Sequence, residues 1–139
     1  MPRTGERLLG LDYGRRRVGV ATCDPLGIAV EPYGFVKRAS DVQLAQAVSA
    51  IAAREGCAGI VVGLPLHASG VAGNNVRYVR RFLRVLREHC PLPVYEVDER
   101  HSSSEAEMLL RREGAWPAPP GALDARAAAV ILRRWLDGE

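Results

Sequence analysis

A chain of 139 residues, 47% hydrophobic and 25% charged, is expected to form one globular domain over 1–139, large enough to bury a core without disulfides or a structural metal. No apolar run approaches the ~18–20 residues of a membrane span, and the start, MPRTGER, lacks a signal peptide's apolar core, so a cytoplasmic protein with no membrane partner is predicted. Of the 19 basic residues behind the net charge of +3, only Lys37 is lysine; arginine's planar fork and a pI near 9.0 favour nucleic acid, although a GC-rich genome also replaces Lys with Arg.

Residues 8–13 alternate as a buried strand does and carry Asp12, which stands between Gly10 and Gly14. Residues 18–23 form the return strand. Asp24-Pro25-Leu26-Gly27 has the residues of a type I turn and leads into a third strand over 28–36, completing an antiparallel meander. Ser40 or Asp41 can cap the next helix, in which Leu44, Ala45, Val48, Ile51 and Ala52 recur at helical spacing until Gly56 ends it. Residues 58–63, AGIVVG, read as a parallel strand buried on both faces. A loop over 64–75 follows and holds His67, a candidate for touching substrate or assisting proton transfer.

From Asn75 a helix sets Val76, Val79, Phe82, Leu83 and Leu86 on one face. Arg77, Arg80, Arg81, Arg84 and Arg87 lie on the other, as a phosphate-binding stripe or a solvated surface. The strand over 93–99 ends in Asp98-Glu99-Arg100. Ser102-Ser103-Ser104-Glu105 has the form of a capping box for a helix to about Arg112. After the proline-rich loop over 115–121 comes a last helix over 122–137, whose Asp124 points toward the sheet from the first turn. Cys23, Cys57 and Cys90 form no C-x-x-C pair and read as reduced, mostly buried thiols.

Short turns first and helical crossovers later predict an α/β fold with a mixed five-stranded sheet flanked by helices, its first strand between the second and the fourth. Asp12 then sits at the sheet centre, with Asp98 and Glu99 at the same edge and Asp124 above it. Each has a plainer reading: turn capping for Asp12, a surface ion cluster for Asp98-Glu99-Arg100, a helix-dipole charge for Asp124. Together they repel unless a cation is present, and hard divalent ions prefer oxygen ligands. Mg or Mn is the implied cofactor, as one or two ions; a pair ~3.5–4 Å apart supports phosphodiester hydrolysis. Alternation sends Asp98 and Glu99 to opposite faces, and the longer arm favours Glu99 for crossing ~10 Å to Asp12. Asp98 would then orient Arg100, a candidate phosphate clamp.

GLDYGRRRVGVATCD, IVVGLPLHASGVAGN, VYEVDERHSSSEAEMLL and ALDARAAAVILRRWL, in this order over nearly the whole chain, resemble the YqgF (RuvX) family of pre-16S rRNA nucleases, also described as Holliday-junction-resolvase-like. The resemblance implies a ribonuclease-H-like fold and a metal-dependent nuclease that matures ribosomal RNA, with branched DNA as the alternative substrate. It also implies an acidic set at Asp12, at Asp98-Glu99 and at Asp124. With the carboxylate reading this makes Asp12, Glu99 and Asp124 the expected catalytic residues and Asp12, Asp98, Glu99 and Asp124 the expected metal ligands, while the residues themselves suggest substrate contacts from Arg100, His67, Arg15, Arg77, Arg81 and Arg84. The chain departs from the family pattern at His67 (usually Asn), His101 (usually Leu) and Pro120-Gly121 (usually Lys-Gly); Ala127 stands where related resolvases carry a second Asp. A non-catalytic nucleic-acid-binding module is the competing reading. An actin-like or sugar-kinase ATP site, also opened by an Asp between glycines, needs two domains that do not fit in 139 residues. The oligomeric state stays open, a homodimer included.

Overall fold

The structure, a computed structural model, describes residues 6–65 and 70–138, without the side chains of 70–75. Its elements run β1 (Arg7–Asp12), β2 (Arg17–Cys23), β3 (Val30–Lys37), α1 (Asp41–Arg54), β4 (Cys57–Leu64), α2 (Gly70–His89), β5 (Val94–Asp98), α3 (Ser102–Arg112) and α4 (Ala122–Leu136). The sheet order is β3-β2-β1-β4-β5. β1 pairs antiparallel with β2 and parallel with β4, and β5 runs parallel beside β4. This is the mixed five-stranded sheet expected from turn lengths, because a two- to six-residue turn permits only an antiparallel return whereas the parallel pairs need their helical crossovers.

Central β1 is buried on both faces. Leu9 and Leu11 join Val20, Ile60 and Val62 against α1 and α2, where Leu44, Val48, Phe82 and Leu86 are fully covered. Leu8, Val61 and Val97 face the other way, onto Ala128, Ile131 and Leu132 of α4. α3 packs outside α4 through Ala106, Ala127 and Val130. The alternation assigns Asp12 and Glu99, each two residues or a multiple of two from Leu8 or Val97, to the α4 face.

Local signals act largely as expected. Ser40 caps α1 by accepting a hydrogen bond from the Gln43 N–H at 3.1 Å, and Gly56 follows the helix with φ +67°. Asp24 closes the β2–β3 turn, its carboxylate accepting from the N–H groups of Ile28 and Ala29. Cys23, Cys57 and Cys90 are free and buried. Among the described residues no helix is long and apolar enough to cross a membrane.

Strand ends shift by one or two residues, β3 starting at Val30 and β5 ending at Asp98, and two helix starts differ in kind. α2 begins at Gly70, five residues before the predicted Asn75. Gly70 and Gly73 weaken a helix without forbidding it, and adding a turn to a helix already anchored by Val79, Phe82 and Leu86 requires no new nucleus. The Ser102 capping box does not form: Ser102 is already the first helical residue, and the cap is His101 in a left-handed conformation with φ 58° and no side-chain cap bond. The cap falls one residue early because the Ser102 N–H is taken by the Glu99 carbonyl at 2.9 Å, which starts the turn at once after β5.

Candidate active site

The centre of the site is one pair of carboxyl groups. Asp12 ends β1, Glu99 follows β5, and the two carboxyls come within hydrogen-bonding reach of each other across the intervening strand β4. Gly63 of β4 makes that reach possible: a Cβ there would lie 2.9 Å from the Glu99 Cβ and 2.6 Å from Ile131. The Glu99 N–H continues the ladder by donating to the Leu64 carbonyl at 2.9 Å, which fixes the side chain's direction.

Asp124 arrives from the first turn of α4 by a similar device. Gly19, paired in register with Asp12, lets the α4 backbone rest on the sheet, since a Cβ at Gly19 would meet the Asp124 carbonyl oxygen at 1.9 Å. The Asp124 carboxylate accepts from Arg17 at 3.0 Å and lies close enough to Asp12 to repel it.

Burial chiefly raises the Asp12 pKa to about 6; the Glu99 hydrogen bond opposes the rise and the Asp124 charge adds to it. Glu99 rises further, to about 9, through burial first, then the Asp12 charge, that same hydrogen bond and Asp98, with Arg134 opposing. At neutral pH the two groups therefore share a proton. A shared proton between buried carboxyls marks a place where positive charge is wanted, and the donors are the hard oxygens a divalent cation takes. Asp12 and Glu99 fit such an ion. Among the described residues no group of three His, Cys, Asp or Glu side chains is gathered to hold one, and Asp124 is engaged by Arg17.

Asp98 does not join the pair. Its carboxylate turns back to accept the Arg100 N–H at 3.0 Å and lies 3.9 Å from the Arg100 guanidinium, so the strand's alternation separates it from Glu99. A cavity of about 720 Å³ opens over Asp12 and Glu99, walled by Arg100, His101, Ser103 and Ser104 at the N-terminal end of α3. Arg15 lies over the Tyr78 ring at 4.2 Å, with Arg81 at 5.8 Å from the same centroid. Arg77, Arg81 and Arg84 are exposed along α2, but Arg87 is tied to the start of β5 through the Val94 carbonyl and Glu96. His67 lies outside the described residues. Gly19 and Gly63 were the residues sequence reasoning missed, and their only signal is the absence of a side chain within strands otherwise rich in valine.

This sheet order, with Asp12 at the end of its central strand, is the ribonuclease-H-like fold. It is shared with T. thermophilus RuvC solved with a Holliday junction substrate, at a TM-score of 0.61 and 17% identity over 96% of this chain and 94% of that one. Fowlpox virus resolvase solved with junction DNA has a TM-score of 0.59 and 9% identity, over 95% and 97% of the two chains. Residues 6–138 match the RuvX family, described as Holliday junction resolvase, and the chain belongs to that family. Its relatives include a Synechococcus elongatus protein named "Putative pre-16S rRNA nuclease", 43% identical over 93% of this chain and 87% of the relative. An Anaeromyxobacter protein of the same name is 42% identical over 95% and 97%. Family membership makes the chain a nuclease.

Proposed function

We propose that this protein is a divalent-metal-dependent endonuclease, a single ribonuclease-H-like domain that works in the cytoplasm on the 5′ end of precursor 16S ribosomal RNA. The single observation that carries the chemistry is the Asp12–Glu99 pair, brought together from the ends of β1 and β5 over Gly63. The names of relatives that cover most of this chain support the RNA substrate. The family description and the junction-bound neighbours favour branched DNA as the second reading.

Mg or Mn, as one or two ions, would be held by Asp12 and Glu99 with Asp124 added, and supplies Lewis-acid polarisation of the phosphate and a more acidic water. Asp98, turned onto Arg100, is left out of this set. The chain's own residues do the rest. Asp12 and Glu99 release their shared proton and present oxygens from one direction. Ser103, Ser104 and the N-terminal end of α3 face the cavity where the phosphate would lie, with Arg100 at its wall. Arg15 and the α2 arginines Arg77, Arg81 and Arg84 hold the flanking backbone by neutralising phosphate, so binding weakens as salt rises. His67 remains a candidate contact from the loop after β4.

The test is cleavage of end-labelled precursor rRNA fragments and a four-way DNA junction, side by side, with Mg, Mn or EDTA. Metal-dependent cutting by wild type and none by Asp12→Asn is expected, with the RNA preferred. Salt-sensitive binding without cutting of either substrate would instead identify a binding module, and preferential cutting of the junction would identify a resolvase.

A further inference from the structure

On the Asp124 side of the carboxylate pair a second cavity, about 600 Å³, is lined by Gly14, Arg15, Arg16, Arg17, Arg38 and Asp124. Four guanidinium groups face one carboxylate there. Three are set by specific partners. Arg15 rests on Tyr78 at 4.2 Å, Arg17 reaches Asp124 at 3.0 Å, and Arg38 donates to Asp41 at 2.9 Å. Asp41 is in turn fixed by the Tyr13 hydroxyl at 2.9 Å. The turn itself is pinned to the end of β3, since the Arg38 N–H donates to the Arg16 carbonyl at 2.8 Å. Among the described residues Arg16 makes no ion pair. Tyr78 also carries Arg81, so Arg15 at the cavity wall shares one ring with the basic face of α2.

A concave surface with this excess of one charge concentrates the opposite charge, and forked donors on a fixed turn suit phosphodiester oxygens. We propose that this cavity is a backbone-phosphate subsite of the nuclease centre, with Arg17 as its movable member. Arg17 pairs with Asp124 in the free protein and with a strand phosphate in the complex. The inference rests on the nuclease reading above and extends it to the path of the strand. Arg17 is suited to the exchange because its side chain is 48% exposed, and ion pairs so exposed contribute only about 0–1 kcal/mol. Once Arg17 leaves, Asp124 is an uncommitted oxygen donor beside Asp12, whose carboxyl already senses the Asp124 charge. Strand and cation binding are then coupled, and each strengthens the other by the same factor.

The test uses the full chain. Binding of a short fluorescein-labelled single-stranded RNA, and of a labelled four-way DNA junction, is followed by anisotropy through a salt series in the non-cleaving Asp12→Asn background. Arg15→Gln and Arg16→Gln should each weaken binding several-fold and reduce the RNA log–log salt slope by about 0.7. Arg112→Gln, exposed at the far end of α3, should change neither. Separately, calorimetry without nucleic acid should show Mn binding at least about threefold tighter to Arg17→Gln than to the otherwise unaltered chain, because the competing cation is gone. Arg17→Lys, which keeps a competing charge, should bind Mn as the parent does. Unchanged slopes in Arg15→Gln and Arg16→Gln overturn the subsite, and Mn affinity equal or lower in Arg17→Gln overturns the exchange. If the parent binds neither nucleic acid at low salt, the nuclease reading itself fails.

Discussion

Asp12 and Glu99 keep a proton in the folded chain that the unfolded chain releases near the ordinary values of 3.8 and 4.5, since burial, with the Asp124 charge on Asp12 and the Asp12 charge on Glu99, raises them to about 6 and about 9. Between those limits the folded state binds more protons than the unfolded state, so the stability of the metal-free protein falls as pH rises. Melting temperature in EDTA should therefore drop by several degrees from pH 5 to pH 9. Glu99→Gln, which carries no titrating proton, should flatten that curve. A melting temperature that rises over this window would contradict the shared proton. Cation binding must displace the same proton, so Mn affinity should increase from pH 6 to pH 9. Gly63→Ala tests the passage between the two carboxyls. Its Cβ would press on Glu99 and Ile131, and a loss of about a hundredfold in cleavage is expected, with Mn affinity weakened in parallel.

Helix α2 divides its arginines along its length. Arg87 is bonded to the Val94 carbonyl and Glu96 at the start of β5, whereas Arg81 shares the Tyr78 ring with Arg15 beside the carboxylates. Ten residues of helix separate Arg77 from Arg87 by about 15 Å. Arg77→Gln and Arg81→Gln should each reduce the salt dependence of RNA binding by about 0.7 in log–log slope, while Arg87→Gln should leave it unaltered. The Arg87 change should instead lower stability by about 0–1 kcal/mol, the usual worth of an exposed pair. Equal effects at positions 77, 81 and 87 would show that the whole stripe, rather than its end near the site, meets the strand.

The sheet and α4 form the assembly on which the site depends. Gly10 and Gly19 bring the α4 backbone onto β1 and β2, with Cβ positions 2.8 Å from the Leu132 Cβ and 1.9 Å from the Asp124 carbonyl oxygen. Gly19→Ala must push α4 outward, and a cost of about 3 kcal/mol and roughly 10 °C in melting temperature is expected. Because Asp124 moves with the helix, Mn affinity should fall as well. If stability drops while Mn binding is retained, Asp124 has no part in holding the cation.

Hydrophobic periodicity and turn residues were enough to order the five strands, because a two-residue period and a short turn leave few ways to bury valine and leucine. They were enough also to bring Asp12, Glu99 and Asp124 to one edge, since strand ends and the first turn of a helix are fixed by those same patterns. Which of Glu99 and Asp98 lies on the face of Asp12 depended on which face of β5 meets α4, and Val97, two residues before Glu99, joins Ala128 and Ile131 in the core on that side. Strand alternation supplies two faces and cannot label them. The close seats at Gly19 and Gly63, the stacking of Arg15 and Arg81 on Tyr78, and the Arg17–Asp124 pair join residues far apart in the chain. Such contacts are set by the distances between packed elements, which periodicity does not encode.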